Sequence, residues 1–575
     1  MACGAGKREG RTAMANHDLV LRGGRVIDGT GAAGFSADIA IDGERIAAVE
    51  GLPRGSGRRE LDVAGLVVAP GFIDVHTHDD RALFVSSDMS AKVSQGVTTV
   101  VTGNCGISLA PLTLTRAPPP PLDLIGDERD YCFGRFADYL GALDAHPPAL
   151  NAACLVGHSS LRVGCMRELD RPASEPEIDA MRARLAEALE AGAVGLSTGL
   201  WYAPANAAPK SEIVALAELL RPAGAVYTTH MRDEAEHVLD SLEESFAVGR
   251  EADVPVVISH HKVIGKANFG RTRETLPRLR KAVAEQRIGL DAYPYVASST
   301  VLRAFMVPRA LKVLVTWSKS RPEMAGRYLS EIAAEWKVSE AEACERLQPA
   351  GAVYWTMDEA DVRRVLAFEH TMVGSDGLPH DLHPHPRLWG TFPRVLGHYC
   401  REVGLFPLEE AVRRMTGLPA QRFGLTNRGR IAPGAYADVC VFDPDRVIDR
   451  ATFEQPARPA AGIAHVLVNG HAGVAGRRPY RCASGPRAPP PGDAAGARRL
   501  THRFIGATLI RQSRRKLRGI QRATNAGGSS PNFHNPGAGS MIWSYLPRWK
   551  FTDSCGRPHA PGAIHLGCAD AGHAA

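Results

Sequence analysis

The sequence predicts an α/β protein built on a (β/α)8, TIM-like barrel, with a small β-sandwich domain made from both chain ends. Three observations lead there. Short apolar runs in the middle of the chain alternate with helical patterns, as βα units do. Two stretches of hairpin texture flank that middle, one near each end. Histidine, cysteine and aspartate recur at the C-terminal ends of the apolar runs, the rim on which such barrels carry their chemistry.

The chain has 575 residues, 44% of them apolar, which suits one large domain and a smaller one. Residues 1–16 carry charge but no apolar run behind it, so they read as an extension, not a secretion signal. Residues 17–68 alternate apolar and polar positions in DLVLRGGRVIDG and ADIAIDGERIAAVE, with Gly-Gly and Asp-Gly turns. The same texture returns in GRIAPGAYADVCVFDPD and IAHVLVNGHAG, so 17–68 and 415–480 together are expected to form the sandwich.

Residues 69–414 hold eight strand candidates: 72–78, 97–102, 151–157, 193–198, 225–230, 254–260, 287–294 and 371–376. Helical patterns at 177–192, 211–224 and 239–252 separate several of them. The spacing is uneven, so 103–150 and 295–370 are expected to carry insertions. The second contains helical material and is expected to cover the barrel mouth.

Charge and cysteine usage narrow the partners. The net charge of +6 arises from residues 481–575, where 14 Lys and Arg face 3 Asp and Glu; the remaining 54 basic and 59 acidic residues leave the body at −5. The body therefore gives no reason to expect nucleic acid. The segment 481–575, rich in Gly, Pro and Ala and without periodicity, reads as a disordered tail or the product of an altered reading frame. No run approaches eighteen apolar residues, so no membrane span is expected. The eleven cysteines form no Cys-x-x-Cys pair, and the expected setting is the reducing cytoplasm.

The polar residues at the strand ends form a pattern. His76 and His78 close the first strand in GFIDVHTHDD, and side chains two apart on an extended segment share a face. Cys105 follows the second strand in GNCG; His230, His260 and Asp376 end the fifth, sixth and eighth. Each has a bland reading: a satisfied core histidine, a buried thiol, a helix cap. Their convergence on one rim favours a metal. A thiolate with two imidazoles is a donor set typical of zinc, so Cys105, His230 and His260 are candidates for a tight site. His76, His78 and Asp376 could shape a second, weaker divalent site, with Asp376 also the best acid–base candidate. A serine mechanism lacks support, since GHSS at 157–160 is not G-x-S-x-G. Lys262, Tyr293, Ser299 and Arg387 stand near the same rim, and the cations suit a substrate carboxylate or phosphate. Phosphate is the weaker choice, because GGRVIDGTG is neither G-x-G-x-x-G nor the opening of a helix.

Over about 17–478 the chain resembles the amidohydrolase superfamily, and within it the N-acyl-D-amino-acid deacylases. The motifs are APGFIDVHTHDD, GVTTVVTGNCGISLAPL, VGHSSLR, GLSTGLWYAPA, YTTHMRDE, ISHHKV, DAYPY, VGSDGLPHD and HPRLWGTFPRVLG. The resemblance implies zinc-dependent hydrolysis of N-acyl-D-amino acids to a carboxylate and the free D-amino acid. It implies Cys105, His230 and His260 as tight zinc ligands, and His76, His78 and Asp376 at the weaker site. Asp376 is then the acid/base, and Lys262, Tyr293, Ser299 and Arg387 receive the substrate carboxylate. The expected partner is that small molecule, without membrane or nucleic acid, for a monomer or weak homo-oligomer. The alternatives are a hydantoinase or isoaspartyl-dipeptidase-like enzyme on the same scaffold, and a non-catalytic barrel that binds no metal.

Overall fold

A computed structural model describes residues 16–473. Nearly all of the expected N-terminal extension and all of the expected tail lie outside the described residues. Eight parallel strands form the centre: β1 Phe72–Asp74, β2 Val97–Thr102, β3 Asn151–Gly157, β4 Gly195–Gly199, β5 Val226–His230, β6 Val256–Ile258, β7 Ile288–Ala292 and β8 Thr371–Val373. Each pairs with its neighbours in chain order. β1 and β8 meet through a single parallel bridge, Thr77 to Gly377, and the Asp376 N–H donates to the His76 carbonyl at 2.8 Å.

The apolar runs become strands buried on both faces, as a barrel covered by helices requires. Along β3, Ala152, Cys154 and Val156 join the outer core under the helices. Ala153 and Leu155, at the alternate positions, join Ile73, Val101, Val226, Val257 and Met372 in the lumen. Leu418, Phe423 and Leu425 complete that inner cluster. The helix Glu175–Ala191 shows the local logic of the outer layer. Ser174 and Glu177 form a capping box at its start, and Gly192, at φ +115°, ends it.

The hairpin-textured ends combine in one mixed sheet that folds on itself. The strand His17–Val26 pairs with Phe35–Asp42 along one edge and divides the other between Gly57–Asp62 and Val67–Pro70. Val439–Phe442 adds to Val67–Pro70, then Ile463–Val468, so residues from both ends share one ladder. Leu21, Val26, Ile39, Val68, Val439 and Leu467 fill its core.

Two long loops hold structure of their own. Between β2 and β3 lie the ribbon Leu112–Thr113 with Cys132–Phe133 and the helix Phe136–Ala145. Between β7 and β8, Ala297–Val301, Ala350–Trp355 and Val313–Ser318 form an antiparallel sheet beside the helices Leu329–Trp336 and Glu340–Leu347. The helical reading of that insertion overlooked this sheet, whose first strand carries Ser298 and Ser299 to the barrel mouth. Among the described residues no helix is long and apolar enough to cross a membrane.

Candidate metal centre and substrate site

The strand ends deliver their side chains through bent backbone. β1 stops at Asp74, β6 at Ile258 and β8 at Val373, so His76, His78, His260 and Asp376 all lie past the ladders on which the apolar runs seemed to carry them. Cys105, His260 and Asp376 take positive φ values of +53°, +35° and +50°. Such backbone costs on the order of 1–3 kcal/mol per non-glycine residue and gathers where geometry serves function. The loop after β2 shows how the turn is made. Gly103 has φ +77°, and a Cβ there would stand 2.3 Å from the Leu155 carbonyl oxygen. Its N–H donates to Asp80 Oδ2 at 3.1 Å, and the Gly106 N–H donates to Ser197 Oγ at 3.0 Å. Pressed between β3 and β4, GNCG points its thiol into the mouth.

Two donor groups share that thiol: Cys105 with His230 and His260, and Cys105 with His76, His78 and Asp376. Within each group the donor atoms lie within 4.8 Å of one another, and every member is buried. Cys105 Sγ is 3.2 Å from His76 Nε2 and 3.4 Å from His260 Nε2; His260 Nε2 is 2.9 Å from His230 Nδ1. Asp376 Oδ1 lies 3.1 Å from His78 Nε2 and 3.5 Å from His76 Nε2.

Electrostatics prepare the thiol and the carboxylate to bind a cation, while His78 has to release a proton before it can ligate one. Burial pushes the Cys105 thiol up, but His76 and His260 outweigh it and hold the group well below the ordinary thiol range. The thiolate is the metal-binding form. Burial likewise raises Asp376, while Arg387, His76 and the bond from His78 drive it well below the usual carboxylate range. Burial lowers His78, but its bond to Asp376 prevails and carries it up to about 9. A thiolate, four imidazoles and a carboxylate, clustered out of water, fit one or two divalent metals, and the thiolate-rich group suits zinc.

The four other expected residues stand on one side of this cluster. Arg387 begins the helix Arg387–Arg394 and is fully buried, so its charge does not face solvent. Its Nη1 lies 2.9 Å from Asp376 Oδ2, its Nη2 donates to the Ser299 carbonyl at 3.1 Å, and its guanidinium stands 4.5 Å from the Tyr293 ring centre. Lys262 Nζ lies 2.7 Å from Glu234 Oε2 and 6.0 Å from the Tyr293 ring centre. Burial, opposed by Lys262 and Arg387, pushes the Tyr293 hydroxyl up to about 12, so it remains a donor. Among the described residues, Tyr293 Oη, Ser299 Oγ and Arg387 Nε are buried without hydrogen-bond partners, while Arg387 Nη1 is taken up by Asp376.

Sequence reasoning passed over several neighbours. Asp291 on β7 lies 3.2 Å from His76 Nδ1 and accepts the His260 N–H at 2.9 Å. Glu234 contacts Lys262 and His260. Trp201 and Tyr202 pack their rings 6.0 and 5.0 Å from that of His230.

A parallel barrel with a cysteine, histidines and an aspartate gathered on its C-terminal rim defines a metal-dependent hydrolase. The model of the amidohydrolase family matches residues 59–295 and 340–472. A D-aminoacylase of Alcaligenes xylosoxydans xylosoxydans is 58% identical over 453 residues, 79% of this chain and 93% of that one. An N-acyl-D-aspartate deacylase of the same organism is 50% identical over 80% of this chain and 92% of its own length. The crystal structure of N-acyl-D-glutamate deacylase from Bordetella bronchiseptica, complexed with zinc and a phosphonate mimic of the tetrahedral intermediate, is 46% identical with a TM-score of 0.78. It covers 80% of this chain and 96% of that one. The chain belongs to the amidohydrolase superfamily, in its D-aminoacylase/N-acyl-D-amino-acid deacylase family.

Proposed function

We propose that the chain is a zinc-dependent hydrolase of N-acyl-D-amino acids with apolar side chains, releasing a carboxylate and the free D-amino acid. One observation carries the substrate class: orphaned buried donors beside a metal-binding cluster. Among the described residues, Tyr293 Oη, Ser299 Oγ and Arg387 Nε have no acceptor. A buried donor left unpaired costs about 1–3 kcal/mol, which an anion placed among them would recover. An α-carboxylate adjoining a scissile amide fits that place. The activities of the family relatives support N-acyl-D-amino acids as the class, and the choice of an apolar side chain rests on the cavity lining alone.

In this reading Cys105, His230 and His260 hold zinc tightly, and His76, His78 and Asp376 hold a second, weaker ion. When bound, zinc acidifies water and polarises a carbonyl. Asp376, kept ionised by its neighbours, takes the proton of the attacking water and returns it to the departing nitrogen. Arg387 aims and steadies that carboxylate. Lys262, Tyr293, Ser299 and Arg387 grip the substrate carboxylate, which fixes the acyl carbon over the cluster. Leu124, Trp201, Ile264, Met306 and Leu378 line the same cavity and favour an apolar side chain such as that of Met or Leu over an acidic one.

Residues 69–414 make up the catalytic barrel in this reading, 295–370 its cover, and 17–68 with 415–480 the sandwich. The cysteines of the described residues are all free, which supports a cytoplasmic setting. The site draws on one chain, so a monomer or weak homo-oligomer suffices.

The test is hydrolysis of N-acetyl-D-methionine, N-acetyl-L-methionine, N-acetyl-D-glutamate and a hydantoin by the purified protein, before and after chelation. Turnover of the D-methionine derivative is expected to exceed the others, to vanish with the metal and to return with zinc. Hydrolysis of the L-isomer alone, or of the hydantoin alone, would sink the reading.

A further inference from the structure

The two histidines of the thiolate group turn their outer nitrogens toward one carboxylate. His260 directs Nε2 to Cys105 and His230, and its Nδ1 lies 3.1 Å from Glu234 Oε1. His230 directs Nδ1 inward, and its Nε2 lies 3.7 Å from Glu234 Oε2. Glu234 is buried and follows His230 by four residues in the loop after β5. The same carboxylate holds Lys262, with Nζ 2.8 Å from Oε1 and 2.7 Å from Oε2.

We propose that Glu234 is the positioning residue of the tight zinc site, orienting His230 and His260 together and tying them to Lys262. This rests on the assignment of Cys105, His230 and His260 as zinc ligands. A histidine that gives one nitrogen lone pair to a metal carries its proton on the other nitrogen. A carboxylate accepting that N–H fixes the tautomer and the ring plane and makes the ligand more basic. Here one carboxylate faces the outer nitrogens of both rings, within hydrogen-bond reach at His260 Nδ1 and, at 3.7 Å, through electrostatic attraction alone at His230 Nε2. With the proton on His260 Nδ1, Lys262 cannot donate to that nitrogen, although its Nζ lies 2.9 Å away. Glu234 is then the acceptor that keeps Lys262 in place. Lys262 in return balances a negative charge that burial alone would penalise. Zinc site and substrate cation thus share a single anchor.

The experiment is a zinc competition titration against a chromophoric chelator, with melting curves of the zinc-free proteins. It compares wild type, Glu234→Gln and the double variant Glu234→Gln/Lys262→Met. The double variant removes both charges, so the fold is not left with a lone buried cation. Both variants are expected to bind zinc about 10–100-fold more weakly than wild type, the usual loss when such a partner is removed. In the double variant the zinc-free melting temperature stays near that of wild type. Wild-type affinity in Glu234→Gln overturns the inference. Wild-type affinity restored in the double variant also overturns it, because Glu234 then serves only to balance Lys262. A wild type without tight zinc overturns the ligand assignment itself, which separates that failure from this one.

Discussion

Asp376 is held from every side. Arg387 Nη1 lies 2.9 Å from one carboxylate oxygen, and His78 and His76 lie 3.1 and 3.5 Å from the other. Its own N–H donates to the carbonyl of His76. A group that shuttles a proton within such a frame contributes by its chemistry more than by its packing. Asp376→Ala is expected to lower kcat by about 10²–10⁴-fold, while the protein still purifies with tight zinc, since that group does not include Asp376. Turnover within tenfold of wild type would refute the acid/base role. The residues that reach the rim were legible in the sequence because each ends or closely follows an expected strand: His76, His78, Cys105, His230, His260 and Asp376. Their supports were not. Glu234 sits in the motif YTTHMRDE, which assigns it no role, and its meaning emerges only from a lysine 28 residues later. Asp291 lies within DAYPY, but only the pairing of β7 with β6 brings it beneath His260.

At the scale of the element, apolar runs revealed which strands exist but not where their ladders stop. The expected strands 254–260 and 371–376 run on to His260 and Asp376, whereas the ladders stop at Ile258 and Val373, and His260 and Asp376 then take positive φ. Periodicity carries no information about that turn. The pattern 211–224 was read as one helix, but two short ones occur, Lys210–Ala217 and Leu220–Ala223. Pro222 explains the break, since it has no N–H and its ring collides with the carbonyl four residues back, at Glu218. The first of these helices carries Glu212, buried with Arg162 and His158. Its Oε1 pairs with the Arg162 guanidinium and lies 2.9 Å from His158 Nε2, and Oε2 accepts the Ala173 N–H at 3.1 Å. Burial raises this carboxyl, but His158 and Arg162 overcome it and bring it from 4.5 down to about 2. A lowered folded pKa contributes stability that is complete above pH 4.5 and is lost as pH falls toward 2. The shift corresponds to about 3 kcal/mol. Glu212→Gln, which leaves Arg162 buried without its carboxylate, is expected to destabilise by about 3–5 kcal/mol at pH 7. In urea unfolding at a series of pH values, the difference between wild type and variant should narrow steadily below pH 4.5. A difference that holds constant down to pH 3 would contradict the assignment.

At the scale of the molecule, the sandwich and the barrel are joined by a buried polar knot as well as by apolar contact. Asn151, at the start of β3, donates to the Thr98 carbonyl at 3.0 Å and to Asp438 Oδ1 at 3.2 Å. Asp438 precedes the sandwich strand Val439–Phe442, pairs with Arg428 and accepts the Asn469 N–H at 2.9 Å. Asn469 closes the circuit, donating to Asn151 Oδ1 at 2.9 Å and accepting from Arg428 at 2.9 Å. The Asp438 carbonyl also accepts the Gly71 N–H at 2.9 Å, on the segment that leads into β1. The C-terminal half of the sandwich therefore meets the barrel at the entrance to the first barrel strand, which couples its folding to that of the strand that leads to His76 and His78. Asp438→Ala removes the carboxylate but leaves Arg428 buried, an unpaired charge that costs about 3–5 kcal/mol. The variant should melt at a lower temperature, with barrel and sandwich still unfolding in one transition, because the knot belongs to both. Its zinc affinity, measured at a temperature where it remains folded, should match wild type, since none of these residues is among the metal-binding groups. Two separated transitions in wild type, or a loss of zinc affinity in the folded variant, would refute this coupling.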